Sequence, residues 1–435
     1  MQSPPLPHLP RLLNGTLWLQ RAADVQEIEP IVQAHQDGFG DDDDPVALRS
    51  NLCARPGSVP GDVLYVQDRE AGVQPSAQVA SSVSLIRQMW TYEGEPLRVG
   101  EVGIVSTRPA YRKRGLVREQ FAEYDCLALK AGCVFSVISG IPYFYRQFGY
   151  EYILPMDGGV SLRPEQIPDL PADEISPLTL RPTTDADMPL LLRFYQQAMQ
   201  PMCMATVLTP QIWRYQDGLP EACSDKRRTL MVERQGQPTG YVRMMANEDD
   251  DWYKGAVIQE AYLPDHASCL AALRYVKKLA LEERKVQTVR VRIPASVPLA
   301  QAALDLGGEP QHSYAWQVKV LDPVGFLLAI RPALERRLAA SPWVGMTRDL
   351  FVGWYRQSVA LRFREGHLQE VATLPKVDRH DLRCPPNAIA MVWLGHRSVE
   401  EVLNWYPDAG CRDKSTLRLM SILFPKRDSW IVSLF

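Results

Sequence analysis

The sequence predicts an α+β (mixed α/β) fold, in which central mixed β-sheets are flanked by helices in three domains. Length is the first observation behind this prediction, because 435 residues are enough for two or three domains. The second is a proline-rich stretch around residue 170, which separates two regions of alternating strand-like and helix-like patterns. The third is an opening motif that occurs once on each side of that stretch.

Composition limits the classes of protein to which the chain can belong. Hydrophobic residues make up 46% and charged residues 23%, and the formal net charge of −3 is too balanced for a nucleic-acid-binding or membrane-surface protein. The eight cysteines form no CxxC pair and the seven histidines show no metal-ligand spacing, so we expect no disulfide framework and no metal site. No run approaches the roughly 18 apolar residues of a membrane span, and the amino terminus lacks the apolar core of a signal peptide. We therefore expect a cytoplasmic protein without a membrane or nucleic-acid partner.

Proline density sets the predicted domain boundaries. Residues 1–16 are predicted to form a proline-rich tail and residues 163–177 a proline-rich linker, because proline at this density prevents both helix and central strand. The remaining chain is divided into a first domain of residues 17–162, a second domain of residues 178–313 and a third domain of residues 314–435.

The first two domains begin alike. "LQRAADVQEIEPIVQAH" starts at Leu19, and "LRPTTDADMPLLLRFYQQAM" starts at Leu180. Each consists of a short strand, an aspartate and an apolar pattern of helical period. Asp24 and Asp185 hold the same place and are predicted to cap the helices that follow. We interpret the shared opening as a sign of a duplicated domain.

The third domain has its own sequence of strand and helix signals. "YAWQVKVLD" predicts a strand from Tyr314, and the pair Asp322-Pro323 predicts the start of a helix. "LFVGWYRQSVALRFREG" predicts a hairpin. Ser398 and Glu401 form a capping box at the start of a further helix. These signals indicate an α+β domain.

The stretch "STRPAYRKRGLVREQF", residues 106–121, places three cations and a glycine where a helix begins. A helix start offers unpaired backbone N–H groups and the positive end of the helix dipole, and Gly115 allows close approach of a ligand. Together with the cations, these features predict a phosphate cradle. The alternative is a basic turn that caps a surface helix. The helix is predicted to end at Gly132 and to bury four residues, namely Val117, Phe121, Tyr124 and Ala128.

In its order of motifs the first domain resembles the GNAT acetyltransferase superfamily. The strand "VGEVGIVSTRP" precedes the cradle, and "CVFSVISG" and "IPYFYRQFGYEY" follow it. The pyrophosphate-loop pattern of that superfamily, Arg/Gln-x-x-Gly-x-Gly/Ala, is matched by Arg112, Gly115 and Val117, although Val117 replaces a small residue. Its "FYxxFGY"-like segment is matched from Phe144 to Tyr150. Nearly the whole chain is similar to the Eis (enhanced intracellular survival) family, which has tandem GNAT domains and a carboxy-terminal domain that resembles sterol carrier protein.

This resemblance implies an acetyl-CoA-dependent N-acetyltransferase that acts on a primary amine by direct attack in a ternary complex. The acceptor class stays open among aminoglycosides, polyamines and lysine-type amines. The resemblance assigns acetyl-CoA to the strand end and the cradle, namely Val105, Ser106, Thr107, Arg112, Lys113, Arg114, Gly115, Leu116, Val117 and Arg118. It makes Tyr145 the general acid and the α-carboxylate of Phe435 the general base. The alternatives are a packing role for Tyr145 and an edge strand that stops at Phe435.

Three further expectations concern the surroundings of this site. The acidic run Asp41–Asp44 lies either in a wall of the acceptor cleft or in a solvated loop. In the second domain Asp265 stands where a cradle needs cations, so we expect one cofactor per chain and a second domain that shapes the cleft and a homo-oligomer. The rival function is a non-catalytic GNAT scaffold that binds a lipid or a regulatory partner through the third domain.

Overall fold

The computed structural model describes residues 9–39, 44–156, 158–171, 173–246, 255–355, 357–375 and 379–433. The helices and strands of these residues form three sheets with helices packed against them, which confirms the predicted α+β fold.

The elements of the first region extend to residue 156. They are β1 (Arg11–Asn14), β2 (Leu17–Arg21), α1 (Ile28–Phe39), α2 (Pro45–Cys53), β3 (Val63–Asp68), α3 (Pro75–Gln78), β4 (Val79–Tyr92), β5 (Glu95–Thr107), α4 (Leu116–Lys130), β6 (Phe135–Ile138) and β7 (Glu151–Met156).

The elements of the second region extend to residue 310. They are β8 (Val160–Leu162), β9 (Leu178–Pro182), α5 (Met188–Met199), β10 (Met204–Thr206), α6 (Pro210–Gly218), β11 (Arg227–Arg234), β12 (Gln237–Met245), β13 (Ala256–Tyr262), α7 (His266–Lys278), β14 (Val289–Val291), α8 (Pro298–Asp305) and β15 (Glu309–Pro310).

The elements of the third region follow without a long connection. They are β16 (Tyr314–Val320), α9 (Pro323–Ala329), α10 (Arg331–Ala339), β17 (Arg348–Trp354), β18 (Gln357–Arg364), β19 (His367–Leu374), β20 (Leu382–Arg383), α11 (Pro386–Trp393), α12 (Val399–Trp405), β21 (Gly410–Cys411) and α13 (Lys414–Leu423).

The first two sheets have the same internal order. The first runs β1-β2-β3-β4-β5-β6-β16-β7, with β10 also paired to β4, and the second runs β9-β11-β12-β13-β14-β8-β15. In each sheet one parallel pair, β5 with β6 or β13 with β14, extends over three residue pairs. Each sheet also has a strand from a different part of the chain inserted after that pair, namely β16 of the third region in the first sheet and β8, which precedes the proline-rich stretch, in the second. The shared order supports the interpretation of a duplicated domain.

The inserted strands show where the predicted boundaries differ from the sheets. β8 lies within residues 17–162 but pairs with β14 and β15 of the second sheet. β16 lies within residues 314–435 but pairs with β6 and β7 of the first sheet. β1 falls in the predicted tail, yet it pairs with β2. A strand can pair with any sheet edge whose backbone N–H and C=O groups lack partners. The sheet that a strand joins therefore does not have to match domain boundaries drawn at proline-rich stretches.

The predicted helix starts are correct with one exception. The Asp24 carboxylate accepts hydrogen bonds from the N–H groups of Gln26 and Glu27, and Asp322 caps α9. The capping box of Ser398 and Glu401 begins α12, and β17 and β18 form the predicted hairpin. Asp185 is not the cap, because Thr184 holds that position in a capping box with Asp187.

The third region packs directly on the first sheet. Phe326 of α9 is fully buried against Tyr92 of β4 and Phe135 of β6, with ring centroids 5.9 Å and 4.8 Å apart. α4 covers the other face, where the Tyr124 hydroxyl donates to the carbonyl of Gly100. The first sheet is therefore held between two layers, and its strand ends are left to form a site.

Candidate active site

Strands β5 and β6 separate to form a fork. In the described chain their parallel pairing runs from Val99 with Phe135 to Glu101 with Val137 and goes no further. Immediately beyond this point the register between β4 and β5 shifts, and Ile104 has a φ of +48°. This bulge bends β5, which leaves backbone groups open between the two strand ends. We call this opening the first fork.

The register assigns the backbone groups that face the first fork. The Arg108 N–H donates to the carbonyl of Ala80 on β4. Because successive residues of a strand direct their N–H groups to opposite edges, the N–H groups of Val105 and Thr107 lie on the fork side. The N–H group of Ser106 lies on the opposite edge, towards β4. Its side chain is buried, and its hydroxyl lies 2.9 Å from that of Ser82. Two of the three predicted strand-end residues therefore meet the fork.

The predicted cradle lies at the start of α4. Gly115 is the N-cap residue, with a left-handed φ of +77°, and Lys113 has a φ of +63°. Within the described chain, no hydrogen-bond acceptor meets the backbone N–H groups from Lys113 to Val117. A Cβ on Gly115 would meet open space, so the loop surface is accessible. Five consecutive unpaired donors at a helix start form an anion site.

The cations around the cradle are exposed and held in place. The Arg112 Nε donates to the carbonyl of Thr107 at 3.2 Å, which ties the cradle to the end of β5. The Arg114 guanidinium lies 5.1 Å from the ring centroid of Tyr111. Arg118 reaches the opposite side of the site, where it donates to the side chain of Gln147 at 3.3 Å. Positive charge therefore surrounds the free N–H groups.

α4 is fixed below the cradle by buried contacts. Leu116 is 3% exposed and packs between β2, β3 and β4. The Gln120 side chain is fully buried, and its carbonyl accepts a hydrogen bond from Ser81 at 2.7 Å. Of the four residues predicted to be buried, Phe121, Tyr124 and Ala128 are buried and Val117 is half-buried, and Gly132 has the left-handed φ expected after a helix.

Tyr145 lies on a 3₁₀ turn, Phe144–Phe148, which follows β6. It is 6% exposed, and its ring covers Gly140 so closely that a Cβ there would lie 2.0 Å from Cε2. Burial raises the pKa of the Tyr145 phenol well above its ordinary value, and the neighbouring Tyr314 raises it further. Within the described chain its hydroxyl forms no hydrogen bond. Tyr145 is thus a protonated donor without an internal partner.

Two contacts connect the Tyr145 turn to the rest of the site. Phe148 stacks on Phe121 of α4 with ring centroids 4.4 Å apart. On the other side, the hydroxyl of Tyr314 and the amide of Gln317 both donate to the carbonyl of Gly140, at 2.5 Å and 2.9 Å. The inserted strand β16 therefore holds the end of β6 in place beneath Tyr145.

Glu101, the last paired residue before the first fork, was not among the predicted site residues. It is 2% exposed, and burial raises the pKa of its carboxyl to about 8. The side chains of Gln88 and Trp90 form a hydrogen-bonded chain to it, since Gln88 donates to Glu101 and accepts from Trp90. The signal was present in "VGEVGIV", where one carboxylate interrupts an apolar strand. A buried carboxyl at this position can exchange a proton near neutral pH.

The carboxy-terminal segment, residues 428–433, runs along β10. The Trp430 N–H donates to the carbonyl of Met204 at 2.9 Å, and the hydroxyl of Thr206 donates to the carbonyl of Val432 at 3.0 Å. The segment is parallel to β10, which is antiparallel to β4, so it runs in the direction of β5 and towards its forked end. Phe435 lies outside the described residues.

Of the acidic run Asp41–Asp44 the structure describes one residue, and it also describes Asp265. Asp41, Asp42 and Asp43 lie outside the described residues. Asp44 caps α2 and accepts the Ser224 N–H at 2.9 Å, so it joins the first region to the second. Asp265 caps α7 by accepting the Ser268 N–H at 2.8 Å, which lowers the pKa of its carboxyl. The start of α7 therefore already has an anion.

The described residues contain neither a candidate metal cluster nor a candidate membrane span. No cluster of three or more histidine, cysteine, aspartate or glutamate side chains there could hold a metal ion. In the same part of the chain, no helix is both long and apolar enough to cross a membrane.

Residues 20–153 match the family model described as an acetyltransferase (GNAT) domain. The first region is a GNAT acetyltransferase domain. No curated protein matches the sequence. The GNAT match covers the first fork, the cradle and Tyr145, which is the part of the chain that the sequence motifs had indicated.

Solved structures of GNAT proteins are similar over nearly the full chain. A GCN5-related N-acetyltransferase from Anabaena variabilis has a TM-score of 0.68 at 13% identity, covering 96% of this chain and 100% of its own. One from Kribbella flavida has a TM-score of 0.65 at 14% identity, covering 96% and 98%. Eis1 from Mycobacterium abscessus has a TM-score of 0.62 at 13% identity, covering 96% and 100%. At such identities the similarity shows a shared fold.

Proposed function

We propose that this protein is an acetyl-CoA-dependent N-acetyltransferase that acetylates a primary amine by direct attack in a ternary complex. The GNAT domain supports acyl transfer in general. The narrower proposal is carried by one observation: unpaired N–H groups, exposed cations and a protonated tyrosine surround the same fork.

The chain's own groups fit acetyl-CoA. Its diphosphate would be held by the N–H groups from Lys113 to Val117, with Arg112 and Arg114 adding positive charge. The N–H groups of Val105 and Thr107 would hold the chain that leads to the thioester. When bound, acetyl-CoA supplies the acetyl group in an activated form. The cradle fits the diphosphate because its donors have no internal acceptor within the described chain and its surface is open.

Tyr145 holds a proton for the leaving thiolate. Its raised pKa keeps the phenol protonated at neutral pH, and its hydroxyl has no competing partner in the described chain. A thiolate of ordinary pKa near 8.5 is a weaker base than this phenolate, so Tyr145 stabilises the departing thiolate by donating a hydrogen bond, and a phenolate left by full transfer of the proton would regain it from solvent.

Two groups are candidates for the general base. The direction of residues 428–433 supports the α-carboxylate of Phe435, since the segment runs towards the forked end of β5. Glu101 is the second candidate, because its buried carboxyl lies at the base of the fork and its pKa is raised to about 8. A base of that pKa would give activity that rises through pH 8, whereas a terminal carboxylate would already be ionised at pH 6.

The rival function, a scaffold without catalysis, is not favoured. A scaffold does not need a free cradle or a buried tyrosine without an internal partner. The sterol-carrier likeness of the third region and a homo-oligomer stay predictions.

Tyr145→Phe tests the proposal. The change removes one oxygen and keeps the ring, so packing on Gly140 is retained. We expect turnover, measured by thiol release with acetyl-CoA and a panel of primary amines, to fall by roughly 10²–10⁴-fold. Affinity for CoA should stay unchanged. Tyr143→Phe is the matched control, because Tyr143 lies in the same segment with an exposed side chain. Equal turnover in both variants would remove Tyr145 as the acid.

A further inference from the structure

The second sheet has a fork of its own. The parallel pairs of β13 and β14 run from Ala256 with Val289 to Ile258 with Val291, and in the described chain they go no further. The register between β12 and β13 shifts at the same level and leaves Gln259 as the bulged residue. The second fork therefore has the same two features as the first, namely three parallel residue pairs and a bulge beside them.

A cavity of about 280 Å³ lies at the second fork. Gln259 and Arg292 line it from the two diverging strands, and Met156, at the end of β7, lines it from the first sheet. Trp430 and its neighbours in the carboxy-terminal segment form another wall. The cavity is thus enclosed by both sheets and by the segment that runs towards the forked end of β5.

CoA does not suit this cavity. A diphosphate at the second fork would meet the start of α7, where the Asp265 carboxylate already accepts the Ser268 N–H and forms an ion pair with Arg234 at 2.7 Å. The volume is at the lower end of the range for small-molecule sites, far below what a nucleotide with a pantetheine arm needs. The second fork therefore has an opening but no cradle of free N–H groups and cations beside it.

We infer that the second fork binds the body of the acceptor, and that the acceptor is a small amine whose body is uncharged and partly apolar. This inference rests on the proposed acetyl transfer. Among the described lining residues the titratable side chains are Arg292, which is partly buried, and Asp428, which is exposed. Burial lowers the pKa of Arg292 to about 10, which still leaves it charged at neutral pH. A polycation would find one carboxylate among these described lining residues, that of Asp428, for its several positive charges.

The cavity is connected to the first fork by a short stretch of β16. Ser313 lines the cavity, and the next residue, Tyr314, donates to the carbonyl of Gly140 beneath Tyr145. Apolar side chains line much of the remaining wall, among them Ile293, Ile431 and Val432. An amine with an aromatic or aliphatic body can bury that body here while its nitrogen extends towards the first fork.

Ala295→Trp tests the inference, with Ser296→Trp as its matched control. Both residues are exposed neighbours, but only Ala295 lines the cavity. The acceptors are benzylamine and tyramine, compared with the polycations spermidine and kanamycin and with a lysine-containing peptide. We expect kcat/KM to be highest for benzylamine or tyramine. Ala295→Trp should raise the KM of that amine at least tenfold and leave the affinity for CoA unchanged, and Ser296→Trp should change neither.

The outcomes separate this inference from the proposed function. A preference for a polycation or the peptide, an unchanged KM in Ala295→Trp, or no transfer to either small amine overturns the inference. CoA binding measured by calorimetry, together with transfer to any amine, decides the proposed function separately.

Discussion

Glu101→Gln should change how stability depends on pH. In the folded protein, burial raises the pKa of Glu101 from its ordinary 4.5 to about 8. An unfolded chain loses this proton above pH 4.5, whereas the folded chain keeps it until about pH 8. The folded state of the wild type therefore loses stability as pH rises through this window. At about 1.4 kcal/mol for each pKa unit, the loss is of the order of 3–5 kcal/mol. Glutamine has a shape similar to that of glutamate but cannot ionise, so the variant does not lose this stability as the pH rises.

The assay is chemical denaturation of wild type and Glu101→Gln at pH 5, 6.5 and 8.5. At pH 5 we expect free energies of unfolding that differ by less than about 1 kcal/mol, because this pH lies only about half a unit above the ordinary pKa of the carboxyl and the folded protein keeps Glu101 protonated. At pH 8.5 the variant should be more stable by about 3–5 kcal/mol. Glu165→Gln, at an exposed position, serves as the control and should show no such change. Parallel pH curves for wild type and Glu101→Gln would refute the reasoning, since they would mean that Glu101 ionises equally in both states.

Two further predictions concern the general base and the number of CoA molecules bound per chain. A Gly-Ser extension after Phe435 should depress turnover and leave CoA binding detectable. The two added residues move the terminal carboxylate by several ångströms, at ~3.5 Å for each residue. Normal turnover with the extension would leave Glu101 as the base. Calorimetric titration should give one CoA per chain, because the carboxylate of Asp265 at the start of α7 would repel a diphosphate. A stoichiometry of two would contradict that assignment.

Local signals in the sequence predicted the backbone conformation at the start of α4. The position of Gly115 before a helical pattern was sufficient to predict the cradle, because a left-handed residue and free N–H groups follow from local backbone chemistry. Caps at Asp24 and Asp322 were correct for the same reason. Asp185 failed as a cap because Thr184 holds that place, where Asp187 three residues later accepts the Thr184 N–H in a capping box.

Features that depend on distant residues were not predictable from local patterns. The bulge at Ile104 arises from the register with β4, and the pairing of β16 with β6 joins residues far apart in the chain. The raised pKa of Glu101 requires its burial. The sequence showed a carboxylate in an apolar strand, but only the packed structure shows that water does not reach it.

Calorimetry of CoA binding to Gly115→Asp tests the central claim, that the start of α4 binds the cofactor's diphosphate. The substitution puts a negative charge against the free N–H groups of an exposed loop. Gly236→Asp is the matched control, since Gly236 has a φ of +75°, close to the +77° of Gly115, and open space around it, but lies in the turn between β11 and β12. We predict that Gly115→Asp raises the Kd for CoA by ~100-fold or more, equivalent to about 2.7 kcal/mol, and that Gly236→Asp leaves it unchanged. An unchanged Kd in Gly115→Asp would contradict the account.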